Sequence, residues 1–175
     1  MKKYVIIASV ILMLAGCSAS ASLGQPVVEQ KPKTVVTKPV SFMHQLQIKK
    51  NTEQMKKVIK YLKTRVGRTS YVFSGSSPRG WDCSGLVRWT YERFGLEIPH
   101  SANKQGHIGK RVSKPKIGDI VVFAYQGSTN FYHAAIYIGN NKVINANAGP
   151  KTTVIQPLSD YKGSQIRYVR LIETL

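Results

Sequence analysis

The stretch Gly80-Trp81-Asp82-Cys83-Ser84-Gly85-Leu86-Val87 joins two different kinds of sequence. Before it, residues 74–80 are rich in Gly, Ser and Pro, the composition of a loop. After it, Leu86, Val87, Thr90, Tyr91 and Phe94 recur at helical spacing until Gly95. Asp82 is a good N-cap residue, so the helix is predicted to start with Cys83 at its first position. Free backbone N–H groups and the positive end of the helix dipole favour a thiolate there, and the thiol is expected to ionise near neutral pH. The competing reading is a buried structural cysteine, the ordinary environment of a free thiol.

Downstream, Pro99-His100-Ser101 opens a short polar helix that ends near Gly106. Lys116-Ile117-Gly118-Asp119 reads as a turn into the apolar strand Ile120-Val121-Val122-Phe123. His133-Ala134-Ala135-Ile136-Tyr137-Ile138-Gly139 reads as a second strand. Asn140-Asn141 is then a two-residue hairpin turn into Lys142-Val143-Ile144-Asn145-Ala146. Residues 152–155 and 167–172 supply further short strands. Upstream, Met55, Val58, Ile59, Leu62 and Val66 form one apolar stripe, with Asn51 and Gln54 at the spacing of a capping box and Gly67 as the stop. Helices first and strands later make an α+β fold, with N-terminal helices packed on a central antiparallel sheet.

Residues 1–16 read as a signal peptide. Lys2 and Lys3 precede a short apolar run over residues 4–14, well below the ~20 residues that span a bilayer. Leu14-Ala15-Gly16-Cys17 resembles a bacterial lipoprotein box, which implies cleavage before Cys17 and lipidation of its thiol. The alternative is an ordinary signal whose Cys17 pairs with Cys83. Ser18, by resemblance to Gram-negative lipoproteins, implies the inner face of the outer membrane; a Gram-positive host would place the chain outside the plasma membrane. Residues 17–44 are a Pro-stiffened tether, and the folded domain is expected over residues 45–175.

The chain carries 26 Lys+Arg against 8 Asp+Glu, a net charge of +18. Export makes anionic headgroups or a carboxylate-rich wall the expected partner, not nucleic acid. The lysines of residues 49–63 read equally as a solvated helix face. With Cys17 lipidated, Cys83 is a lone thiol in an exported protein, which is unusual.

A nucleophilic cysteine needs a base and a group that orients the base. Of His44, His100, His107 and His133, only His133 opens a strand of the predicted sheet. Asn145 lies on the next strand, with Asn147 as a competitor. Pairing Gly139 with Lys142 sets Ile136 opposite Asn145, so His133 and Asn145 meet only through a bulge, a wider turn or diagonal reach.

These segments, Asp82-Cys83-Ser84-Gly85-Leu86-Val87, Gly118-Asp119 and residues 133–139, resemble the NlpC-type family of papain-like cysteine peptidases, which cleave peptide stems of bacterial peptidoglycan. The likeness spans about residues 50–172. It implies Cys83 as nucleophile, His133 as base and Asn145 as the third polar residue. It also implies Tyr71, Asp82 and Ser84 as residues that line the site or hold the stem peptide. Ser70 and Ser74 depart from the family's usual Pro and Gly, and His100 stands in place of a common Arg. No metal or other cofactor is implied, and a monomer is expected. The rival readings are a Cys-His amidase or acyltransferase on the same fold, and a non-catalytic wall-binding lipoprotein.

Overall fold

The structure is a computed structural model that describes residues 41–175. The signal peptide, the lipidation of Cys17 and the tether up to residue 40 lie outside the described residues.

Helix α1 (Phe42–Lys63) begins well before Asn51. Residues 42–50 hold no Gly or Pro and are mostly good helix formers, so nothing stops the helix until Pro39 is approached. Asn51 and Gln54 are therefore mid-helix and form no capping box. Asn51 Nδ2 donates to the Glu173 carbonyl at 3.2 Å, and Gln54 Nε2 donates to the Arg93 carbonyl. Met55, Val58, Ile59 and Leu62 are buried as their spacing predicts. A two-stranded hairpin, β1 (Ser76–Ser77) and β2 (Gly80–Trp81), follows, then α2 (Cys83–Glu92) and α3 (Ala102–Gln105).

The sheet is antiparallel throughout, with six strands: β3 (Lys110–Val112), β4 (Ile120–Tyr125), β5 (Phe131–Gly139), β6 (Lys142–Asn147), β7 (Thr152–Pro157) and β8 (Ser164–Arg170). Their order is β3-β8-β4-β5-β6-β7. Ile120, Val122, Ala134, Ile136 and Ile144 pack with Leu86 and Val87 of α2 and Leu62 of α1. Val121, Phe123, Ala135, Tyr137 and Val143 form the opposite face, packed against Leu158 and Tyr161 of a 3₁₀ turn (Leu158–Tyr161) and flanked by Ile166 and Tyr168 of β8. Burial on both faces is why β4 is continuously apolar instead of alternating.

The β5–β6 turn is the two-residue turn expected, with φ of +52° at Asn140 and +54° at Asn141. Its register carries a surprise. Gly139 pairs with Lys142, but the ladder then slips, and Tyr137 pairs with Val143 and Ile136 with Ile144. Ile138 is the extra residue. Because side chains alternate, one inserted residue moves Asn145 from the face opposite His133 to the same face. The bulge is what lets the two side chains meet.

Candidate active site

Asp82 is the N-cap of α2, in extended conformation, and its Oδ1 accepts from the Gly85 N–H at 2.7 Å. The same carboxylate accepts from Ser84 Oγ at 2.9 Å, from His100 Nε2 at 2.9 Å and from the Ser74 N–H at 3.0 Å. One buried side chain thus ties together the helix start, the loop before it and the segment leading into α3. Gly85 is required for that closeness. A Cβ there would sit 2.0 Å from the Gly75 carbonyl oxygen and 3.0 Å from His100 Nε2. The Gly75 oxygen cannot retreat freely, because it accepts the Asp82 N–H at 3.0 Å. Gly85→Ala is expected to cost about 1–3 kcal/mol or more in chemical denaturation, the range for overpacking a tight site. A cost near zero would mean that the loop is not locked as described.

Cys83 follows at the first helical position. It opens onto a cavity of about 260 Å³ shared with His133, Tyr71, Tyr132, Asn147 and Tyr161. Backbone N–H groups of Ala134, Ser84 and Cys83 itself favour the thiolate, but burial and the neighbouring Asp82 carboxylate outweigh them and raise the thiol above its ordinary range. The expectation of a thiol that ionises near neutral pH is overturned. Helix position is a local property; the burial that opposes it is set by the strand packed over the helix end.

The His133 ring stacks against Tyr161 (centroids 5.9 Å apart) and lies 5.6 Å from the Phe123 ring. Its Nε2 lies 3.1 Å from Asn145 Oδ1. Burial lowers its pKa from 6.5 to about 4, with the Asn145 contact acting weakly the other way. At neutral pH the resting site therefore holds a neutral thiol and a neutral imidazole. Because the folded-state value is depressed, the associated stability is present above about pH 6.5 and is lost as pH falls through about 4. The expected loss is ~3 kcal/mol on going from the upper to the lower limit. Chemical denaturation of the wild type and His133→Gln across this window should show that extra slope in the wild type alone.

Of the residues singled out from sequence, Tyr71, Cys83 and His133 share the cavity, and Asn145 stands behind His133. Asp82 and Ser84 are buried beside it and bonded to one another. The other histidines are elsewhere: His44 is exposed on α1, His100 is bound to Asp82, and His107 Nδ1 lies 2.7 Å from the Asn103 carbonyl. Sequence reasoning missed Tyr132, Tyr161 and Gln156. Gln156 lies just past the strand read over residues 152–155, and β7 extends to include it.

The sequence profile of the NlpC/P60 family matches residues 67–171, most of the described domain. The chain belongs to the NlpC/P60 family. Over 79 residues it is 47% identical to the murein DD-endopeptidase MepS/murein LD-carboxypeptidase of Escherichia coli K12, a match covering 43% of this chain and 41% of that protein. Over 109 residues it is 37% identical to the gamma-DL-glutamyl hydrolase of Bacillus subtilis, covering 60% of this chain and 26% of that protein. The chain thus spans from about a quarter to under half of these relatives' length. Among solved structures, the NlpC/p60 domain of the peptidoglycan hydrolase SagA superposes with a TM-score of 0.56 at 25% identity, covering 66% of this chain and 98% of that domain. The NlpC/P60 chain therefore has the family's papain-like α+β fold, helices on an antiparallel six-stranded sheet.

Proposed function

We propose that this NlpC/P60 domain is a cysteine endopeptidase that cuts an amide bond in peptidoglycan stem peptides or their cross-links. The observation that supports it most is the single cavity shared by a helix-N-terminal Cys83 and by His133, whose far nitrogen is held by Asn145. With Nε2–H donated to Asn145, Nδ1 is the ring's free acceptor. His133 Nδ1 takes the Cys83 proton as Sγ attacks the amide carbonyl, so both groups need ionise only when substrate is bound. The C–S bond forms, the oxyanion gathers at the N–H groups of the α2 terminus, and the C–N bond breaks as His133 gives its proton to the leaving amine. Water, deprotonated by His133, then cleaves the thioester and frees Cys83. Asn145 orients the ring without adding negative charge. Tyr71 lines the substrate side, while Asp82 and Ser84 shape the floor beneath it.

In this reading the chain works in the cell envelope, anchored by a lipid on Cys17 and facing the periplasm, and its basic surface meets the anionic wall. The test is alkylation with iodoacetamide, followed by peptide mapping and turnover of purified muropeptides. Turnover should fall in proportion to modification of Cys83, and added stem peptides should slow that modification. Turnover that survives complete modification of Cys83 would refute the assignment.

A further inference from the structure

The tautomer of His133 decides whether its Nδ1 can act as a base, and five groups behind the ring govern that choice. Asn147 Oδ1 accepts from the Gly149 backbone N–H at 2.9 Å. Asn147 Nδ2 donates to Gln156 Oε1 at 2.9 Å, and Asn145 Nδ2 donates to the same oxygen at 3.2 Å. The Tyr161 hydroxyl also donates to it, at 3.0 Å, and lies 3.4 Å from His133 Nε2. The strand register makes this convergence possible. Gln156 on β7 pairs with Val143 on β6, and Asn145 and Asn147 alternate onto the same face.

We propose that Gln156 is a positioning residue that fixes the His133 tautomer by passing on the polarity of the Gly149 N–H. This rests on the peptidase reading above. A carboxamide can be turned end for end with little change of shape, so its orientation is set by its partners. The Gly149 N–H has no such freedom: it can only donate. It holds Asn147 with Oδ1 outward and Nδ2 toward Gln156. Gln156 must then present its oxygen, Asn145 must present Nδ2 to that oxygen, and Asn145 Oδ1 is left facing His133. An oxygen there requires a proton on Nε2, which leaves Nδ1 bare. Reversing any one amide would set donor against donor or acceptor against acceptor, and a mismatch relieved by turning Asn145 would leave Nδ1 protonated and unable to take the proton of Cys83.

The proposal makes position 156 sensitive to polarity more than to size or burial. In the ¹⁵N-histidine-labelled full-length chain, wild type and Gln156→Glu should both show His133 with Nε2 protonated and Nδ1 bare, since each offers an oxygen. Gln156→Lys offers only donors, so Asn145 should turn and the protonated nitrogen should become Nδ1. In muropeptide turnover, the Lys variant should lose about 10³-fold or more in kcat with little change in KM, in line with an inverted tautomer in a catalytic triad. The Glu variant should retain most of its kcat. Gln156→Leu should give a mixture of tautomers and an intermediate kcat. Thermal unfolding of each variant checks that the fold is kept. An Nε2–H signal retained in the Lys variant would overturn the relay, as would a Glu variant as impaired as the Lys variant. The tautomer is read without substrate, so an inactive wild type would refute the peptidase reading and still leave the relay tested.

Discussion

Cys83→Ala is expected to lower kcat for muropeptide cleavage by about 10⁶-fold, the scale seen when a peptidase loses its nucleophile. The loss should fall on the chemical step alone. The side chain of Cys83 is small, and the groups that hold the helix start are those of Asp82, which the substitution leaves untouched. His133 keeps its contact with Asn145, so the imidazole remains at the cavity. Affinity for stem peptides should therefore change little while turnover disappears. The residual rate would come from water activated by His133. A variant within tenfold of the wild type would show that the chemistry runs elsewhere.

Asp119→Ala carries the largest expected cost in stability. Asp119 accepts from Arg170 Nε at 2.9 Å and from Arg170 Nη2 at 2.7 Å, a two-point contact that clamps the start of β4 to the end of β8. It also accepts from the Lys116 N–H at 2.7 Å, closing the turn that leads into β4. The side-chain exposure is 3% for Asp119 and 11% for Arg170, so little solvent would compensate the guanidinium left behind. Removing one partner of such a buried pair costs about 3–5 kcal/mol. Chemical denaturation should show that loss, and Asp119→Ala/Arg170→Met should recover part of it because no charge is then stranded. A single-variant cost under about 1 kcal/mol would mean the pair behaves like an exposed salt bridge. The Gly118-Asp119 segment thus serves the fold, through the turn into β4 and its link to β8.

What could be read from the sequence was what depends on near neighbours. The Asp82 cap, the short helix opened by Pro99-His100-Ser101 and the Asn140-Asn141 turn are each set by a few adjacent residues, and the structure has all three, with Ser101 as the cap of α3. The candidate pair Cys83 and His133 was legible for the same reason: Cys83 opens α2, and His133 adjoins the apolar run of β5, although that strand starts two residues earlier, at Phe131. The start of α1 was misplaced because the Asn51 and Gln54 spacing mimics a cap in the middle of an uninterrupted helix. Whether His133 and Asn145 share a face depends on one bulged residue, Ile138, which no local pattern announces. The state of the thiol was misjudged because a dipole can be inferred from the helix, whereas the burial opposing it cannot. Gln156 and Tyr161 come from a strand and a 3₁₀ turn far along the chain, and only the sheet brings them behind the imidazole.

The most direct test of the account is mass analysis of purified muropeptides after incubation with the full-length chain. The account predicts new fragments, each pair summing to the parent plus one water, with a free amine on one and a carboxyl on the other; the masses then identify the bond. Muropeptides recovered intact, with the chain retained on insoluble wall, would contradict it and leave a binding protein on a peptidase fold.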